Sequence, residues 1–137
     1  MENCIFCKIV NGAIPAQKVY ETDTVLAFLD IYPVTPGHLL VIPKEHYEDC
    51  LAAPTTVVGE LAMAIQKLAP AVLSAVGASA FNIGLNCGRD AGQVIFHLHW
   101  HLMPRFADDG LRLWPGKAEL EAAVPGVAEK IRQTLES

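Results

Sequence analysis

Apolar positions along this chain change period, from two to about 3.6 and back to two, and the changes mark its elements. Residues 18–21 and 24–29 are short β-prone runs separated by Thr22-Asp23, a tight-turn pair that predicts a hairpin. A Pro- and Gly-rich loop at 32–37 leads into the apolar run 38–43, whose terminal Pro43 fits a strand end. Leu61, Ile65, Leu68, Val72 and Val76 recur at steps of three and four, one face of an amphipathic helix over 56–76 that Pro70 must kink or divide. Residues 81–86 and 94–104 read as two more strands joined by the turn-rich 87–92. From Pro125 onward, Val127, Ala128, Ile131 and Leu135 predict a final helix with the proline in its first turn. Five short strands, one central and one C-terminal helix, and no regular βαβ alternation predict an α+β fold with a mainly antiparallel sheet.

Within the last predicted strand, His97, His99 and His101 alternate with Leu98, Trp100 and Leu102. Alternate side chains of a strand share a face, so the three imidazoles are expected on one side and the apolar residues on the other. Consecutive rings stand roughly 7 Å apart along the backbone, close enough to converge on one phosphate or one metal ion but too far for simple packing. The plain alternative is the wet face of a half-exposed strand, which ordinarily draws on Thr, Lys, Glu and Ser. Three of the chain's five histidines fall here, which points to chemistry instead.

Composition narrows the partners. At 137 residues one domain is expected, and 52% hydrophobic residues with a positive mean hydropathy point to apolar area in a subunit interface. A net charge of −5 argues against a polynucleotide partner, because phosphate neutralisation needs clustered Lys and Arg; a small anion held by local donors remains. Residues 1–4 lack the basic start of a secretory leader, and the apolar stretch 61–85 is interrupted by Gln66, Lys67, Pro70, Gly77, Asn82 and Gly84. A cytoplasmic protein with no membrane partner is the expectation. Its four cysteines are then metal ligands or inert core residues rather than disulfides.

Together these residues resemble the histidine triad (HIT) family, in particular its bacterial-type branch related to nucleoside phosphoramidases. The resemblance runs from Cys4-Ile5-Phe6-Cys7-Lys8-Ile9 through Phe28-Leu29-Asp30-Ile31-Tyr32-Pro33 and the run from His38 to His46. It continues to Asn86, Gly92-Gln93, and the triad with its trailing Pro104-Arg105. It covers a single domain with a core of about 3–106 and leaves 107–137 as a C-terminal extension. The resemblance implies a homodimer whose two five-stranded sheets join, each subunit binding a nucleoside monophosphate group.

It also implies roles. A neutral imidazole attacks phosphorus well and, once phosphorylated, leaves well, so His99 is expected to form a nucleotidyl-histidine intermediate that water hydrolyses, releasing AMP. His101 would donate to the phosphate oxygens or protonate the leaving group, with His97 as the third triad member. Asn86 and Gln93 match positions that add neutral donors near the phosphate; turn residues capping their own backbone are the alternative. Asp30 matches the carboxylate that accepts from ribose hydroxyls, and Ile5, Phe6, Ile9, Ile14 and Phe28 match the walls around a purine, although an ordinary core uses the same residue types. Val94 stands where related phosphoramidases often carry serine, so one hydroxyl is missing near the leaving group. His38 matches a supporting histidine or is plain surface, and Arg105 is a solvated strand end or a phosphate partner.

Cys4-x-x-Cys7 can grip zinc from a tight knuckle, and the resemblance supplies His46 and His97 as the other ligands of a structural site; no organic cofactor is implied. Cys50 and Cys87 have no evident partners. Three rivals stand beside the phosphoramidase: a dinucleoside polyphosphate hydrolase of the same family, a metallohydrolase chelating through His97 and His99, and a non-catalytic nucleotide-binding scaffold.

Overall fold

In the computed structural model, which describes residue 1 and residues 3–137, a short helix α1 (Ile5–Val10) precedes the predicted hairpin of β1 (Lys18–Glu21) and β2 (Val25–Leu29). Thr22 shapes the hairpin turn, its hydroxyl accepting from the Thr24 and Val25 amides. β3 (Leu39–Pro43) pairs with β2, α2 (Thr55–Val76) follows, and β4 (Ala80–Leu85) leads back to β5 (Trp100–Arg105). β5 inserts between β3 and β4, so the sheet runs β1-β2-β3-β5-β4 with every pair antiparallel.

The apolar runs of β2 and β3 are two alternations superposed, because both faces of these strands are covered. Val25, Ala27, Leu39 and Val41 pack with Leu61, Ala64, Ile65, Leu68 and Ala69 of α2, joined by Leu98 and Leu102. Leu26, Phe28, Leu40 and Ile42 pack on the opposite face with Phe6 and Ile9 of α1. Truncating a fully buried member such as Leu102 to alanine is expected to cost about 2–5 kcal/mol. The α2 face carries most of the core, and the face under α1 opens into a cavity lined by Phe6, Ile9, Phe28 and Leu40.

Several boundaries differ from the sequence reading. α1 was not expected; Cys4 caps it, Sγ accepting from the Cys7 amide at 3.4 Å, so the cysteine knuckle is itself the start of a helix. α2 continues through Pro70, which is exposed beside exposed Gln66, so the carbonyl robbed of its helical partner faces water. The helix ends at Gly77, whose φ of +73° suits glycine and whose amide donates to the Leu73 carbonyl. α2 has the length and hydropathy of a membrane span, but its apolar stripe is spent on the sheet. His38 and Asn86 lie just outside β3 and β4. The predicted strand 94–104 begins only at Trp100, since among the described residues no strand pairs with 94–99. Pro125 precedes rather than opens α3 (Val127–Glu136), which starts after Gly126 at φ +71° and leaves Val127, Ile131 and Leu135 exposed.

Candidate active site

Although His97 and His99 precede β5, the alternation holds: Leu98 and Leu102 lie in the core under α2, and the histidines face the other way. The three rings nevertheless divide between two sets of partners. Phe6, buried beneath α1, wedges edge-on against both His97 and His99, with ring centroids 5.8 and 5.1 Å away. His97 turns to the cysteine knuckle, whereas His99 and His101 stay together. The latter two rings also pack edge to face at 5.1 Å, closer than backbone spacing alone gives.

Hydrogen-bond partners assign each ring its tautomer. His99 Nδ1 donates to the His97 carbonyl at 2.7 Å, leaving Nε2 with a free lone pair. The Val34 amide donates to His38 Nδ1 at 3.1 Å, so the His38 proton sits on Nε2 and is given to His101 Nδ1 at 2.9 Å. His101 therefore carries its own proton on Nε2. A nucleophile and a proton donor stand side by side. Burial lowers the pKa of His99 and pushes that of His101 to about 4, helped in the latter by the neighbouring His99 and His38, so both are neutral at pH 7. His38, 3% exposed, is also held neutral by burial, with the Asp30 carboxylate at 3.6 Å opposing the shift. Asp30, His38 and His101 lie close enough to enclose an ion, but the Val34 amide puts a proton where a metal would need the His38 lone pair.

His99 and His101 open into a cavity of about 480 Å³. Ile5, Phe6, Ile9, Ile14 and Phe28, the five expected base walls, all line it, as do Asp30 and Asn86. Tyr32, Ile95 and Val94, the last 84% exposed, complete the mouth. Gln93 departs from expectation. It is 4% exposed, its amide nitrogen donates to the Glu48 and Ile95 carbonyls, and its oxygen accepts from Gly88. Backbone groups take both of its N–H donors and one lone pair of its oxygen, so it clamps the turn, and it is not among the cavity-lining residues. Arg105 is neither solvated nor aimed at the site: it holds Asp109 at 2.7 Å, Asn82 at 2.7 Å and the Leu111 carbonyl at 3.1 Å.

Cys4, Cys7, His46 and His97 form the four-donor cluster that the sequence reading expected. His97 is fully buried, and its Nε2 donates to the Pro43 carbonyl at 2.8 Å, which leaves Nδ1 as a lone pair facing the sulfurs at 3.4 and 3.6 Å. His46 Nδ1 stands 3.1 Å from it, an approach of two basic nitrogens that needs a cation or a proton between them. Tetrahedral zinc with two sulfurs and two nitrogens has ligand-to-ligand edges of about 3.3–3.8 Å, so the donor set fits that metal with little movement. The signals that sequence reading could not supply are backbone ones: Pro43 behind His97, Val34 behind His38, and Glu48 behind Gln93.

Such a sheet, with paired neutral imidazoles above an apolar slot, sets a candidate histidine-based site on an α+β domain. The family model described as HIT domain matches residues 11–108, and the chain belongs to the HIT family. It is 38% identical over 135 residues to adenosine 5'-monophosphoramidase hnt1 of Schizosaccharomyces pombe, covering 97% of this chain and 98% of that protein. The crystal structure of a HIT family protein from Bacillus anthracis superposes with a TM-score of 0.87 at 39% identity, covering 98% and 96% of the two chains. A Zn-bound histidine triad family protein from Mycobacterium smegmatis superposes with a TM-score of 0.78 at 39% identity, covering 88% and 87%. The family thus includes hydrolases of nucleotide phosphoramidates and a zinc-bound member.

Proposed function

We propose that the protein hydrolyses purine nucleoside phosphoramidates at the α-phosphorus through a nucleotidyl-histidine on His99 and releases AMP. The observation that carries this reading is the pairing of a lone-pair nitrogen on His99 with a proton-bearing nitrogen on His101 at one cavity. The base occupies the slot between Ile5, Phe6, Ile9, Ile14 and Phe28, and Asp30 accepts from the ribose hydroxyls. His99 Nε2 forms a bond to phosphorus while the P–N bond to the leaving amine breaks, and His101 Nε2 gives that amine its proton. Water then attacks the phosphorus, His101 recovers a proton from it, and the P–N bond to His99 breaks to free AMP. The Asn86 amide supplies a neutral donor to the phosphate oxygens.

Zinc would be held by Cys4, Cys7, His46 and His97, where it fixes the N-terminal helix and the triad segment in place. A second copy would pair along β4, an edge strand of the sheet whose Phe81 and Ile83 are 37% and 49% exposed, and extend the sheet across the dimer. The expected setting is the cytoplasm, without polynucleotide or membrane.

Two rivals are weaker on named observations. A polyphosphate leaving group would meet no lysine or arginine among the described cavity residues. A catalytic metal on His97 and His99 is opposed by the orientation of His97, whose two nitrogens face Pro43 and the thiols. Rapid acid-free quenching of the enzyme with adenosine phosphoramidate is expected to trap an acid-labile AMP adduct on His99. Steady turnover with no such adduct overturns the reading, and tight AMP binding with no turnover favours the scaffold.

A further inference from the structure

Gln93 ties together two segments far apart in the chain. Its amide nitrogen donates to the Glu48 carbonyl at 2.8 Å while its oxygen accepts from the Gly88 amide at 2.9 Å. One buried side chain thus holds the turn before α2 against the turn that follows β4. Cys50 lies two residues beyond Glu48, and Cys87 immediately precedes Gly88, so a cysteine flanks the tie on each side. Both are free and partly accessible, and the Gln93 tie brings the segments that carry them side by side. Neither belongs to the four-donor metal cluster or lines the nucleotide cavity. Cys87 instead opens with Gly88, Arg89, Asp90 and Ala91 onto a separate surface depression, where a small oxidant can reach it.

We infer that Cys50 and Cys87 form a reversible intramolecular disulfide that couples the turn beside the cavity to the thiol redox state of the surroundings. The oxidant is a low-molecular-weight disulfide. One cysteine thiolate attacks it, takes up half and releases one thiol. The second cysteine then displaces the bound half as another thiol. Two electrons and two protons leave the protein and convert one small disulfide into two thiols. Burial and the neighbouring Asp49 raise the Cys87 pKa, so the response is a slow equilibration.

Closing the bond draws the two β-carbons to about 3.8 Å and pulls Cys87 toward Cys50. Asn86, the residue before Cys87, lines the cavity and must follow. The turn can yield because Gly88 and Gly92 bracket it at φ +94° and +95°, conformations that glycine adopts without strain. The oxidised form therefore binds nucleotide less tightly. That consequence rests on the functional reading above, whereas formation of the bond does not.

The full chain as purified is incubated with oxidised glutathione, alkylated and digested with trypsin. Cleavage separates Cys4 and Cys7 in 1–8 from Cys50 in 45–67 and Cys87 in 68–89. A cross-link between the last two peptides is expected before Cys4 and Cys7 lose their thiols. It should bring a several-fold rise in the AMP dissociation constant that dithiothreitol reverses. Cys87→Ser and Cys50→Ser should abolish both effects and keep reduced-state turnover, with Cys50→Ala made alongside because Cys50 packs on the core. Cys50 and Cys87 both remaining alkylatable where Cys4 and Cys7 oxidise overturns the proposal. A cross-link with unchanged AMP affinity overturns its regulatory half. Failure of the functional reading would show separately, as absent AMP binding by the reduced protein, and the peptide map would still decide the bond.

Discussion

His38 Nε2 stands 2.9 Å from His101 Nδ1, and the Val34 amide on the far side of His38 decides which ring owns the proton between them. The backbone thereby dictates that His101 presents a donor to the cavity, two rings away from the amide that makes the choice. Thr35 reinforces the arrangement, its hydroxyl donating to the Pro104 carbonyl at 2.7 Å and binding the loop to β5.

Replacing His38 with leucine frees His101 to adopt the other tautomer. Turnover of simple phosphoramidates is expected to fall about 10²-fold, the ordinary worth of a positioned acid, with KM nearly unchanged. His38→Gln, which can still donate to His101, should recover part of the loss. Equal defects in both variants, or a change confined to KM, would refute the relay.

Asp30 lines the cavity while one of its oxygens accepts from the Tyr32 amide at 2.8 Å. If the other carboxylate oxygen accepts from ribose, Asp30→Ala should weaken ribonucleotide binding roughly 10-fold to 100-fold, the worth of a charged hydrogen bond, and abolish discrimination against 2'-deoxynucleotides. Isothermal titration with AMP and dAMP reads both effects.

Acid should destabilise the fold through His101. Its pKa is about 4 when folded against an ordinary 6.5, so between those values the unfolded chain binds more protons and stability falls as pH falls. The melting temperature is expected to drop from pH 7 to pH 4.5. His101→Gln, which lacks the titrating group, should show a shallower drop over the same interval.

Removing metal tests the division of labour between His97 and His99. A chelator strong enough to strip zinc is expected to lower the melting temperature by roughly 10 °C, because a ligand bound only to the folded state stabilises it by mass action. Turnover should decline in step with loss of fold, and a chelated protein that stays folded but inactive would point to a catalytic metal instead.

Arg105 and Asp109 anchor the exit of the C-terminal extension, the Asp109 carboxylate also accepting from the Phe106 and Leu111 amides. The Arg105 guanidinium and these amides hold the Asp109 pKa well below the usual carboxylate range. Asp109→Ala should speed limited proteolysis after Phe106 while leaving AMP binding intact. Unchanged cleavage would show that the extension is held elsewhere.

Much of this protein is legible in its sequence because the relevant signals are local. The hairpin at Thr22-Asp23, the α2 stripe and the sidedness of 97–102 follow from side-chain direction along a regular backbone, which neighbouring residues alone control. The Cys4, Cys7, His46 and His97 grouping came from resemblance, and the fold brings those four donors together.

What tertiary structure decided is the partner of each polar group. Alternation puts three histidines on one side, but only the arrival of α1 beneath β2 and β3 inserts Phe6 and sends His97 to the thiols. Gln93 carries the same amide whether it meets a phosphate or a backbone, and the position of Glu48 settled which. The partners of Arg105 were decided likewise, Asn82 reaching it from elsewhere in the chain. A side chain's direction is set by its own backbone. Its hydrogen-bond partner is set by distant backbone, and no local pattern encodes that.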